Sequence, residues 1–231
     1  MNSKDTVTKK KKRKKKRNPF RFLGFDFIKL TGALNVLLWL RPKVLYENKA
    51  AKKNVRGGAV IVANHSGFTD VLALYCAFWY RRLYFIAIDD LFKKKISAFF
   101  FRSALCIPVT RDNFNMECYR AAVDVLDDGR LLGIFPEGAI NWDRSSVNSF
   151  KSGAVLIALK GHAPIVPVYI VPPRKWYNRS IVVVGEPIDP AKICGSTPNL
   201  HAIDEVSMML HEKELELKEI YTRWKTKKSS K

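Results

Sequence analysis

The chain has no long uncharged apolar run. Its most apolar stretch, Phe20 to Leu40, is broken by Arg21, Asp26 and Lys29, and only Leu30 to Leu40 is free of charge. Those eleven residues fall short of the roughly 17–25 that a membrane-spanning helix needs. Cysteine is scarce and scattered: Cys76, Cys106, Cys118 and Cys194 form no C-x-x-C pair, and no His/Cys group has zinc-ligand spacing. A disulfide framework and a structural zinc site are thereby excluded, and a reduced, cytosol-facing protein is expected. No G-x-S-x-G elbow is present, which argues against a serine hydrolase. A secretory leader is not expected either, because the basic start is too long and no small-residue cleavage site follows the apolar segment. Acidic residues are in deficit, 21 against 41 Lys and Arg, for a net charge of +20.

The charge is unevenly placed. Lys4 and the run Lys9 to Arg17 supply ten cations against Asp5, so the first 17 residues carry +9 and the remainder +11. Such a balance favours a polyanionic partner, anionic lipid or nucleic acid. Residues 1–18 form a low-complexity Lys/Arg arm, expected to be disordered because like charges repel and nothing apolar is available to bury. The helical segment that follows, within residues 19–45, is read as an amphipathic helix lying in the lipid headgroup region, the alternative being a helix packed on the protein's own core. Nucleic acid is the weaker reading, since no nucleic-acid motif occurs and the cations gather in a tail instead of a patterned face with aromatics.

Residues 46–225 alternate short β-rich runs with helical ones, and 226–231 form a basic tail. The pattern predicts an α/β domain, a twisted mixed sheet flanked by helices. Strands are expected at Ala59–Ala63, Leu83–Ile88, Leu105–Val109, Leu131–Phe135, Pro164–Val171 and Ile181–Val184, and helices at Thr69–Tyr80, Phe114–Leu126, Phe150–Lys160 and Ala202–Trp224. Gly129 and Gly161 stand where helices should stop.

Three strand ends carry chemistry, as expected of an α/β sheet, whose ligands gather at the carboxyl edge. The first is Asn64-His65-Ser66-Gly67-Phe68-Thr69-Asp70. Five positions amount to about 140° around a helix, so His65 and Asp70 meet only if His65 lies in the turn and Asp70 in the first helical turn. A carboxylate on one imidazole nitrogen fixes the tautomer and leaves the other as a base. Taken alone, the pair also fits a histidine packed at a helix start with a first-turn acid. The second is Phe135-Pro136-Glu137-Gly138, where proline ends a strand and glycine turns the chain, presenting Glu137 at the same edge. The third, Ile107-Pro108-Val109-Thr110-Arg111, places a guanidinium suited to bidentate capture of phosphate, or to a surface ion pair with Asp112.

In chain order, Asn64-His65-x4-Asp70, Ile107-Pro108-Val109-x-Arg111, Phe135-Pro136-Glu137-Gly138 and Pro164-Ile165-Val166-Pro167-Val168, with Phe150-Lys151-Ser152-Gly153-Ala154 ahead of the last, resemble the glycerolipid acyltransferases of the 1-acylglycerol-3-phosphate type over roughly residues 20–190. The resemblance implies transfer of a fatty acyl group from a thioester (of coenzyme A or acyl carrier protein) to the hydroxyl of lysophosphatidic acid. Glycerol 3-phosphate or another lysophospholipid is the alternative acceptor. It implies His65 and Asp70 as the catalytic dyad, and Asn64, Arg111, Glu137, Gly138 and Lys151 as substrate contacts. Neither a cofactor nor a metal is implied. A place on the cytoplasmic face of a membrane is expected. Where the family commonly has Thr-Arg-Ser after F-P-E-G, this chain has Ala139-Ile140-Asn141, so one candidate phosphate contact is missing.

Overall fold

The computed structural model describes residues 23–53, 55–110, 116–138, 140–141, 150–173, 178–195 and 198–230. The arm, Arg111 and Ala139 lie outside the described residues. Helix α1 (Leu23–Leu40) leads into strand β1 (Lys43–Tyr46). Then follow β2 (Ala59–Ala63), α2 (Thr69–Ala77), β3 (Leu83–Ile88), a 3₁₀ turn (Asp89–Phe92), α3 (Lys95–Ser103) and β4 (Cys106–Val109). The chain continues through α4 (Met116–Asp127), β5 (Leu131–Ile134), α5 (Gly153–Lys160), β6 (Ile165–Val171) and β7 (Ile181–Val184). It ends with α6 (Pro190–Cys194) and the long α7 (Leu200–Ser229).

The seven strands form one mixed sheet in the order β1-β7-β6-β2-β5-β3-β4, parallel throughout except for the antiparallel β6–β7 pair. Strand β2, Ala-Val-Ile-Val-Ala, sits at the centre with every residue at most 1% exposed. A continuous apolar run is what a strand covered on both faces requires. Truncating one such side chain, Ile61→Ala for instance, is expected to cost about 2–5 kcal/mol. Pro167 is tolerated in the buried strand β6 because the β7 ladder starts only at Val168. The Pro167 carbonyl accepts the Gly185 N–H at 2.8 Å just beyond the end of β7, and its nitrogen lies on that same side, so the proline forgoes one bond at the end of the ladder and none within it.

On one side of the sheet Ala73, Leu74 and Phe78 pack with Ile61, Ala63, Phe85 and Val168. On the other, α4, α5 and α7 bring Ala122, Val125, Ile157, Val206 and Leu210 against Val60, Val62 and Leu132. The expected fold class is observed, with three strands at their expected bounds, three within one residue of them, and the central helices close to theirs. Strand β1 was not foreseen and lies across the expected boundary at residue 46, since Lys43–Tyr46 pairs in parallel with β7. Helix α7 continues to Ser229, so most of the expected tail is helical. Gly161 does stop α5, but the residue that turns left-handed there is His162, at φ 47°.

Candidate active site

The sheet order explains why distant motifs meet. Strands β6, β2 and β5 are neighbours, and their carboxyl ends deliver Ile170, the Asn64–Asp70 turn and the Phe135–Gly138 turn to one edge. His65 lies in the turn and Asp70 in the first turn of α2, the one arrangement in which they can meet, with His65 Nδ1 3.2 Å from Asp70 Oδ2. The same oxygen accepts the backbone N–H of Ser66 at 2.6 Å and of Gly67 at 2.8 Å. Asp70 is fully buried, and this turn of chain folds around its carboxylate.

His65 is held from further directions. Its backbone N–H donates to Glu137 Oε1 at 2.9 Å, and its carbonyl accepts the Asn141 N–H at 2.7 Å. Its ring stacks on Phe135, centroids 4.1 Å apart, and Phe135 stacks in turn on Phe85 at 5.8 Å. Gly133 makes room for the last ring: a Cβ there would stand 2.3 Å from Phe85 Cε1. With Nδ1 turned to Asp70, the ring donates its Nδ1 hydrogen and keeps Nε2 as proton acceptor, on a side chain 17% exposed.

Gly138 has a φ of +73°, and the Lys151 side chain lies across it, with Nζ 2.9 Å from where a Cβ would stand. The Lys151 N–H donates to the Pro136 carbonyl at 3.0 Å, so the two segments on either side of residues 142–149 close on each other. An exposed lysine is thereby placed over Gly138. Strand β4 is three positions from β2, about 14 Å at the usual strand spacing, so the end that leads to Arg111 stands across the mouth from His65.

Asn64 also has a structural part: its amide donates to the Ile170 carbonyl at 3.0 Å and accepts the Ile170 N–H at 2.7 Å, clamping the end of β2 to β6. The structure brings His65, Asp70, Glu137, Gly138 and Lys151 together. The contributions of Phe135 and of the Asn141 N–H were not anticipated; the aromatic ahead of Pro136 was the available signal for the first, and a backbone donor leaves none for the second.

Covalent alternatives find no support among the described residues. Burial pushes the thiols of Cys76 and Cys118 up to about 11 and that of Cys106 to about 12, far from thiolate reactivity. Ser66 is buried, its hydroxyl 3.5 Å from Asp70 Oδ2. The described residues also include no group of three or more His, Cys, Asp or Glu able to hold a metal ion.

Residues 43–171 match the family model described as Acyltransferase. The 1-acyl-sn-glycerol-3-phosphate acyltransferase of Bacillus subtilis (strain 168) is 32% identical over 165 residues, covering 69% of this chain and 80% of its own. The N-acylphosphatidylethanolamine synthase of Arabidopsis thaliana is 31% identical over 157 residues, 56% of this chain and 55% of that protein. The crystal structure of the 1-acyl-sn-glycerophosphate (LPA) acyltransferase PlsC from Thermotoga maritima shares the fold. Its TM-score is 0.62 at 23% identity, over 87% of this chain and 80% of that one. With a family model spanning more than half its length and a histidine–aspartate pair held at the carboxyl edge of its sheet, this chain belongs to the acyltransferase family.

Proposed function

We propose that the protein transfers a fatty acyl group from a thioester to the free hydroxyl of lysophosphatidic acid, giving phosphatidic acid. The observation that carries this reading is the His65 Nδ1 to Asp70 Oδ2 contact of 3.2 Å in a chain of this family. His65 Nε2 takes the hydroxyl proton as the oxygen attacks the thioester carbonyl carbon. The tetrahedral intermediate then collapses, the carbon–sulfur bond breaks, and the proton passes from Nε2 to the departing sulfur. Asp70 stabilises the imidazolium between these steps. The ester bond replaces the thioester bond with no acyl-enzyme, and the process requires neither metal nor redox cofactor.

The acceptor's phosphate is assigned to Lys151 and, from the motif, to Arg111; Glu137 and Gly138 shape the turn beneath it. The donor is an acyl-coenzyme A or acyl carrier protein thioester. The reaction is placed at the cytoplasmic face of a membrane, where the +9 arm is drawn to anionic lipid. Free thiols at all four cysteines suit that compartment. Among the described residues no helix is long and apolar enough to cross a membrane.

The deciding experiment gives purified protein a labelled acyl thioester and a panel of acceptors: lysophosphatidic acid, glycerol 3-phosphate, other lysophospholipids and an amine-bearing phospholipid. Label should enter phosphatidic acid, and His65→Ala should abolish it with the fold intact. Transfer to another acceptor in preference would displace the substrate assignment, and full activity in His65→Ala would displace the mechanism.

A further inference from the structure

Helix α3 turns its apolar side outward. Ile96, Phe99 and Phe100 are 86%, 72% and 52% exposed, and no residue of the helix is buried. Spacings of three and four place these three on one face. Ser97, Ala98 and Phe101 face inward, the Ser97 hydroxyl donating to the Leu91 carbonyl and the Phe101 ring lying 5.8 Å from that of Phe92. Lys94, Lys95 and Arg102 are exposed around the apolar stripe, while Lys93 pairs with Asp90 at 2.6 Å.

A second stripe lies nearby. In α1, Leu23, Phe27 and Leu30 are 61%, 66% and 80% exposed at spacings of four and three. The two helices touch, with a Cβ on Gly24 standing 2.8 Å from Ser103 Oγ. Both are also tied toward the active site. Phe25 of α1 lies 6.3 Å from Tyr75, whose ring meets Phe85 at 5.1 Å, the base of the stack beneath His65. The Tyr75 hydroxyl donates to the carbonyl of Ala104, the residue that ends α3.

Three occupants fit an apolar face of this kind: the basic arm, a second copy, or a bilayer. The arm carries ten cations against one acid, which the cations around the stripe repel. A second copy would oppose like-charged rims on chains of net charge +20. A bilayer containing anionic lipid satisfies both features at once, taking the large side chains below the headgroups and pairing the cations with phosphate. We propose that the outward face of α3, together with the exposed stripe of α1, is a docking surface for an anionic lipid bilayer. The binding claim stands on the surface alone; its link to activity rests on the reading of the protein as a lysophospholipid acyltransferase.

The test uses the full chain with vesicles of phosphatidylcholine alone and of phosphatidylcholine with phosphatidylglycerol. Ile96→Ser/Phe99→Ser/Phe100→Ser should lower sedimentation with both by about tenfold or more, given the apolar area removed from the contact. Lys94→Glu/Lys95→Glu/Arg102→Glu should lower binding to the anionic vesicles only. Transfer to lysophosphatidic acid in vesicles should fall with binding, whereas transfer to a short-chain, water-soluble lysophosphatidic acid should persist in both variants. Unchanged vesicle binding by the triple serine variant overturns the proposal. So does a native dimer that this variant converts to a monomer, which would make the face a contact between copies. Loss of binding in the variant, with wild-type protein inactive toward both acceptors, would uphold the docking surface and refute the enzymatic reading.

Discussion

Asp70 and Glu214 are both withdrawn from water, at 0% and 1% exposure, yet their surroundings differ in kind. One oxygen of Asp70 gathers two backbone N–H groups and the imidazole of His65. Glu214, on α7, has no hydrogen-bond partner for either oxygen among the described residues. Burial, and then the nearby charge of Glu137, push its pKa well above the ordinary carboxyl value, against an opposing pull from Lys218. Its presence also helps to raise Tyr169, which burial chiefly drives to about 12. A buried acid can be accommodated by donors arranged about it or by taking up a proton. The first solution leaves a group able to orient a base; the second leaves a silent one.

The contrast breaks most visibly in activity. Asp70→Asn, which keeps the shape and removes the charge, should lower the single-turnover transfer rate by about 10²–10⁴, while Glu214→Gln should stay near the wild-type rate. Comparable losses in both variants would mean that Glu214 belongs to the catalytic apparatus.

The donors around Asp70 matter only if the ring they orient is held in place. Gly133→Ala puts a methyl group into the Phe85 ring, displacing the support beneath Phe135 and His65. A shift of about 1 Å can cost up to 10²-fold in rate, so a fall of about tenfold or more is expected, with the acceptor KM less affected than kcat.

A smaller effect is expected at Asn64. Asn64→Ala removes both bonds to Ile170 and should destabilise the fold by about 1–3 kcal/mol in denaturant titrations. If the clamp is its whole part, the acceptor KM should hold; a large rise in it would show that Asn64 also contacts the acceptor.

The smallest change is one of pH dependence. Unfolded Glu214 titrates near the usual value of about 4.3, and the folded group titrates higher. Between the two values the folded state holds more protons, so this residue's contribution to stability falls as pH rises through that window. Thermal melts of Glu214→Gln should therefore match wild type at acid pH and exceed it near neutrality. A gain of equal size at every pH would assign the effect to packing.

The strands were legible where apolar residues run together, as in Ala59–Ala63 and Ile181–Val184, because burial on both faces leaves that imprint. Strand β1 has only four residues, bearing a lysine and a tyrosine, and its place is fixed by pairing with β7, a partner distant in sequence. Helix α3 was hidden for a different reason: its apolar stripe faces away from the core, so periodicity carried no information about packing. At the site, the spacing of His65 and Asp70 gave their geometry correctly because a single turn constrains it. The amide of Asn64 could not be assigned in that way, since a side-chain donor and acceptor serve a neighbouring strand and a ligand equally well. Arg111 stays with the motif reading, outside the described residues.

The rings beneath His65 have a spectroscopic consequence. Protons held over an aromatic face are shielded by its circulating electrons, and Phe135 lies 4.1 Å under the imidazole. The ring C–H resonances of His65 are thus expected upfield, apart from those of His162 and His201, in a protein with only four histidines. The base carries its own label. A ligand that slides the ring off Phe135 will announce itself in proton NMR of unlabelled protein as a downfield shift before any product is formed.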